Sequence, residues 1–154
     1  MITVIESVIN NVTALTSNTD SVIFPIDSIR TRSSTCCGWL NHNQGSANYT
    51  ILEGGIYEIN LNLTVSSATA GVVAFQVFVN GEPDSGTLMA ETITAADDFA
   101  NIGVNTRIKI CCKGTSTVSI RSIPAVPTPT APETPIATQV PIIISGKFNL
   151  ARVA

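Results

Sequence analysis

The sequence predicts an all-β chain, an antiparallel jelly-roll sandwich preceded by a short N-terminal helix. Three observations carry that expectation. Tyr57, Ile59, Leu61, Leu63 and Val65 alternate with Glu58, Asn60, Asn62 and Thr64, the period of two that gives a strand one buried and one wet face. The pattern recurs, with Ile102, Val104, Thr106, Ile108, Ile110 and Cys112 alternating with Gly103, Asn105, Arg107, Lys109 and Cys111. Charged residues make up only 12%, about half the usual share. Thr, Ser, Asn, Val and Ile take their place, a β-rich composition with a neutral polar surface.

A length of 154 residues suits one domain with a real core. The net charge of −3 argues against nucleic acid, which needs a basic patch. It argues equally against anionic membrane surfaces. The longest unbroken apolar runs are far short of a membrane span. A low-charge chain with a mean hydropathy of +0.33 points to apolar surface that self-association would cover. Met1 to Leu15 is apolar-rich but has no basic n-region and no small-residue cleavage site. If the chain is secreted at all, the expectation is a route other than a signal peptide, such as assembly inside a cell followed by lysis.

In chain order, residues 1–16 read as a helix. Met1, Ile2, Val4, Ile5, Val8, Ile9, Val12 and Leu15 fall in one sector of a helical wheel. Within it Ile2, Ile5, Ile9 and Val12 have the 3-4-3 spacing of a coiled-coil seam, and Ile at such positions favours trimers and tetramers. β-branched residues are mediocre helix formers, so the alternative is a strand or no fixed structure. Residues 1–20 are thus expected to be an anchor or trimerisation segment, and residues 21–154 the jelly roll. Ser21 to Thr35 reads as extended, with Pro25 marking an edge. A short strand around Trp39, a polar loop over 41–48 and a turn at Gly54-Gly55 lead into the long strand over 56–65. Val72 to Val79 forms the next strand, and Asn80-Gly81 is a strong hairpin signal. Return strands follow over 87–94, 102–112 and 117–123. Residues 124–141 hold six prolines, at 124, 127, 129, 132, 135 and 141. Each removes a ladder donor, so this inserted stretch should be an extended, solvated loop. Ile142 to Val153 closes the chain as a strand, bent near Gly146.

No pattern of catalytic residues stands out. The single histidine, His42, lies in an Asn/Gln loop and is expected to be solvated. Glu82, Asp84, Glu91, Asp97 and Asp98 are close in sequence but lack a calcium-loop pattern, so a solvated acidic loop is set beside a surface calcium site. Arg30, Arg32, Arg107 and Lys109 are too few for a nucleic-acid stripe. The four cysteines form two adjacent pairs, Cys36-Cys37 and Cys111-Cys112. Neighbours on a strand point to opposite faces, which disfavours zinc and leaves packed thiols or a cross-strand disulfide. Three Asn-x-Thr sequons, at Asn11, Asn48 and Asn62, read as chance in a Thr/Asn-rich chain. No metal and no cofactor are assigned.

Four segments in order resemble the C1q/tumour-necrosis-factor superfamily. Gly54-Gly55-Ile56-Tyr57-Glu58-Ile59 resembles its Gly-x-Tyr-x-Phe strand, with Ile59 in place of the second aromatic. Phe78-Val79-Asn80-Gly81-Glu82 resembles its Asn-Gly hairpin. Thr106 to Ile120 is similar to its penultimate strand pair, and Ile144-Ser145-Gly146-Lys147-Phe148-Asn149-Leu150 to its closing strand. The Pro-rich insertion departs from the pattern. The resemblance implies a jelly roll that assembles as a homotrimer, with Tyr57, Phe75 and Phe148 lining the threefold axis; the alternative is that the three are ordinary intrachain core. Relatives without a collagen stalk are similar to phage virion proteins, such as capsid decoration or head-fibre components. The expectation is a non-enzymatic virion structural protein on the virion surface, assembled in the host cytoplasm. It would be attached to the major capsid or another virion protein through Ile2, Ile5, Ile9 and Val12, with outer loops facing a host-surface glycan. The competing readings are a bacterial or spore-surface C1q-like binding module, and a hydrolase on a jelly-roll scaffold.

Overall fold

A computed structural model of the chain describes residues 3–30, 38–111, 114–131 and 133–154. Every regular element among them is a strand. Numbered in chain order, the first sheet runs Ala100–Ile110 (β10), Gly55–Ser66 (β6), Ile142–Arg152 (β14), Thr3–Ile9 (β1) and Ile26–Arg30 (β3). Thr13–Ala14 (β2) adds to β14 beyond β1. The second sheet runs Leu40–Asn41 (β4), Tyr49–Ile51 (β5), Ser116–Ser122 (β11), Gly71–Val79 (β7) and Glu82–Pro83 (β8), with Met89–Ile93 (β9) further along β7. Ala125–Val126 (β12) and Ile136–Ala137 (β13) form a small ladder of their own. All these pairings are antiparallel. Strands distant in sequence lie side by side, β1 against β14 and β5 against β11, which is the crossing pattern of a jelly roll.

The alternation read in the sequence maps onto the sandwich. Tyr57, Ile59, Leu61, Leu63 and Val65 of β6 are at most 2% exposed, while Asn62 between them is exposed. From the second sheet Val73, Phe75, Val77, Val118 and Ile120 close the core from the other side. Aromatic rings lock the layers together. Trp39 stacks on Tyr57 at 5.4 Å, and Phe148 meets Tyr49 at 4.7 Å and Phe24 at 5.7 Å. The β7–β8 hairpin has φ of 54° at Asn80 and 80° at Gly81, positive at both central residues as a type I′ turn requires.

Two expectations are corrected. Residues 3–9 are not helical: β1 is a central strand, paired with β14 from Thr3↔Arg152 to Ile9↔Gly146 and with β3 on its other edge. Five of its seven residues (TVIESVI) are β-branched, stiff at χ1 and suited to a pleated surface. A full-length partner then supplies the ladder that an isolated segment lacks. The Pro-rich stretch is not wholly outside the sheets either. Its two ends pair as β12 and β13, and Thr138, 6% exposed, bridges in parallel to Val72. The amides this needs, Thr138 N to Pro124 O and Gln139 N to Val72 O, come from non-proline residues, so the prolines between them cost no ladder bond.

Candidate interaction surface

The structure places the sequence-predicted interface residues inside the protomer. Tyr57, Phe75 and Phe148 are each 0% exposed in the single chain. A side chain with no surface cannot line an interface, so these three are intrachain core and not the lining of a threefold axis. The anchor set divides. Ile5 and Ile9 are in the core, Val12 is 66% exposed, and Ile2 lies outside the described residues. Helical spacing had put these four on one stripe; a strand turns Ile5 and Ile9 toward the second sheet. The Cys36-Cys37 pair and Cys112 also lie outside the described residues, and Cys111 is exposed.

What the fold leaves open is the outer face of the first sheet. Its outward positions line up in register across the strands. One row is Asn105, Asn60, Asn149 and Glu6; the next is Gly103, Asn62, Lys147 and Val8; a third pairs Asn101 with Thr64. Short amides and glycine dominate these rows. Charged side chains stand further along the same strands: Arg107 pairs with Glu58 at 3.3 Å and Lys147 with Glu6 at 3.6 Å, and Lys109 is exposed beside them. Exposed pairs of this kind contribute little to stability. Thr64 Oγ1 donates to Asn101 Oδ1 at 3.0 Å, whereas Asn149 Oδ1 is buried with no hydrogen-bond partner. A hollow of about 580 Å³ opens where Gly103 carries no side chain, walled by Asn10, Asn62, Thr64 and Lys147. A Cβ on Gly103 would stand 2.9 Å from Leu61 O.

At the margin of that face β10 pairs with β6 alone among the described residues. An open edge of eleven residues is a template for association unless it is covered. Beside it stand the two largest apolar exposures of this region, Phe99 at 65% and Leu88 at 43%. A second hollow, about 340 Å³, lies between Leu88–Glu91 and Ile102–Val104.

No catalytic arrangement emerges among the described residues. His42 is 3% exposed, contrary to the solvated loop expected of it. Its burial follows from Tyr49, on which its ring stacks at 4.0 Å, a contact no local pattern announces. Ser7 is buried nearby, but its hydroxyl donates to Asp27 and not to the imidazole, so the two do not form a serine–histidine pair. The acidic residues at 82–98 do not converge: no three His, Cys, Asp or Glu among the described residues could hold a metal.

No family model matches the chain. No curated protein matches it either. Solved structures do. Murine APRIL superposes with a TM-score of 0.64 at 9% identity, over 99% of this chain and 100% of that one. The globular domain of zebrafish complement 1qA gives 0.60 at 10% identity, over 99% and 98%. Eiger TNF from S. frugiperda gives 0.61 at 6% identity, over 99% and 93%. The identities are too low to carry residues across, but the matches run over nearly the whole length of each chain. The chain has the C1q/TNF-type jelly-roll fold.

Proposed function

We propose that this chain is a non-enzymatic structural and binding module that assembles as a homotrimer, edge to face, on a virion surface as a decoration or fibre protein. The observation that carries self-assembly is the edge of β10, which makes no ladder beyond β6 among the described residues, flanked by Phe99 and Leu88 and set beside a face lined by short amides and Gly103. Edge and face lie on one protomer but cannot cover each other within it. A rotating arrangement, in which the edge of each copy meets the face of the next, closes after a few copies and covers both. The virion assignment rests on the family resemblance of the sequence. Attachment through an N-terminal helix is not carried forward, because β1 is part of the sandwich. The capsid-facing surface would then be one end of the sandwich, and loops at the other end would meet a host-surface glycan.

Light scattering on the purified chain tests the assembly. A mass near three times 16.2 kDa supports it, and Phe99→Asp should shift that mass toward one protomer while the far-ultraviolet spectrum stays that of a folded β protein. A monomeric wild type, or a Phe99→Asp trimer as stable as the parent, would overturn the edge-to-face arrangement. Mass spectrometry of purified particles tests the location, which falls if the chain is absent from them.

A further inference from the structure

We propose that Asn80-Gly81 is a succinimide-forming modification site that the native turn holds shut, so that conversion marks chains whose β7–β8 hairpin has come away from β11. It is the one Asn-Gly pair in the sequence. A glycine after asparagine leaves the attacking backbone nitrogen unshielded, because no Cβ stands beside it. In the chemistry, the Gly81 nitrogen gives up its proton and bonds to Asn80 Cγ. The Cγ–Nδ2 bond breaks and ammonia leaves. Water then opens the five-membered ring. Its attack at Cγ gives an aspartyl residue at position 80. Its attack at the main-chain carbonyl gives an isoaspartyl residue, with the chain rerouted through the former side chain. Water reaches the site, since Asn80, Gly81 and Glu82 are all exposed.

Conformation, not burial, closes it. The φ values of 54° at Asn80 and 80° at Gly81 are those of a type I′ turn, in which ψ of the first central residue is about +30°. At that angle the Gly81 nitrogen lies nearly anti to Asn80 Cβ across the Cα–C bond, the wrong side for a ring closed through Cβ and Cγ. The carboxamide is also tied to β11. Asn80 N donates to Thr117 O at 2.8 Å, one half of the exchange that an antiparallel pair makes. Thr117 N returns the other half to the side chain, donating to Asn80 Oδ1 at 2.9 Å, where a strand residue would offer its main-chain oxygen. Asn80 Nδ2 donates to Ser116 Oγ at 3.3 Å. The β7–β11 ladder ends at Val79↔Val118, so the Asn80 side chain extends it by one step and splints the hairpin tip to the start of β11. Ring closure has to break both side-chain bonds and rotate the Asn80 backbone out of the turn. An isoaspartyl residue would add one main-chain atom to a two-residue loop, and the turn that sets the β7–β8 register would not re-form.

The test incubates the full-length chain at mildly alkaline pH, once native and once in guanidinium chloride, and follows position 80 by peptide mass mapping. Giving up both side-chain hydrogen bonds should make the native chain convert at least about tenfold more slowly than the unfolded one. Ser116→Ala frees Nδ2 and should speed native conversion by about fivefold, with no change in guanidinium chloride. As a second readout, chains converted while unfolded are returned to native buffer, and their isoaspartyl fraction should unfold at a lower denaturant midpoint than unconverted chains of the same sample. A native rate equal to the unfolded rate overturns the proposal, as do equal native rates for wild type and Ser116→Ala. An isoaspartyl fraction as stable as the unconverted chain overturns the splint. Should Ser116→Ala not fold, the wild-type comparison still decides.

Discussion

Replacing Ile5 by Ala, with Val12 by Ala as its companion, separates two accounts of the N-terminus. On a helix the two positions are seven apart and share one stripe, so truncating either should have similar effects. In the strand they differ completely: Ile5 is 0% exposed, opposite Leu150 on one side and Arg30 on the other, and Val12 is 66% exposed beyond the end of β1. Removing the outer carbons of a fully buried Ile costs about 2–5 kcal/mol, the lost transfer term plus a cavity the neighbours fill only in part. That is a large share of the roughly 5–15 kcal/mol that stabilises a typical domain. At about 2–4 °C per kcal/mol for a chain of this size, a loss of ~3 kcal/mol lowers Tm by roughly 6–12 °C. Val12→Ala should stay within about 0.5 kcal/mol. The assay is urea and thermal unfolding of all three proteins at one protomer concentration, since assembly makes apparent stability depend on concentration. Equal, small effects of both substitutions would refute the placement of β1 in the core. The same reasoning predicts that deleting residues 1–20 leaves no folded protein, because β3 would lose its partner, β14 would lose the pairing on one of its two edges, and Ile5 and Ile9 would leave the core.

Two pH dependences follow from the polar contacts. Asp20 is held at about 2, below the usual carboxylate range, by hydrogen bonds from the Thr16 and Ser17 hydroxyls and their backbone amides. Its contribution is present above the unfolded carboxylate value near 3.9 and is lost as pH falls toward about 2. Asp20→Asn should weaken that acid limb in a urea-midpoint series, and an unchanged limb would exclude Asp20 as its source. At the other end, burial pushes the phenols of Tyr49 and Tyr57 upward. The folded chain keeps protons that the unfolded chain releases above about pH 10, so stability falls with rising pH there. In an alkaline titration followed by phenolate absorbance, both tyrosines should ionise together with unfolding. A phenol titrating near pH 10 in the folded protein would contradict their burial.

Much of the sandwich was legible because a strand with one wet face writes itself at a period of two. β6, β10, the β7–β8 hairpin and the closing strand β14 were readable from their own residues. β1 was not, because Ile5 and Ile9 satisfy a helical spacing of four as well as a strand spacing of two. Polar Ser7 between them breaks the apolar alternation that would have decided it. Ser7 faces inward because Asp27 is there to accept its hydroxyl, a partner twenty residues away. His42 was misread for the same reason: the ring of Tyr49 and the carboxylate of Asp27 bury it, and neither is visible in the loop around it. The Pro-rich stretch was read correctly for its prolines and incorrectly for the residues around them.

The amino-acid order by itself determined which side chains must leave water. Turning Tyr57, Phe75 and Phe148 away from solvent follows from alternation alone, since hydrophobic burial does not depend on what the covering surface is. Whether that surface belongs to the same chain or to a neighbour was decided by the tertiary structure, which closes the second sheet over all three. The amide-lined face, the glycine hollow and the open edge of β10 likewise exist only once five strands have been set in register. Register is a long-range property, in which β1 and β14 from the two ends of the sequence become neighbours. Local pattern carries the faces of each strand and holds no information about which strand lies beside it.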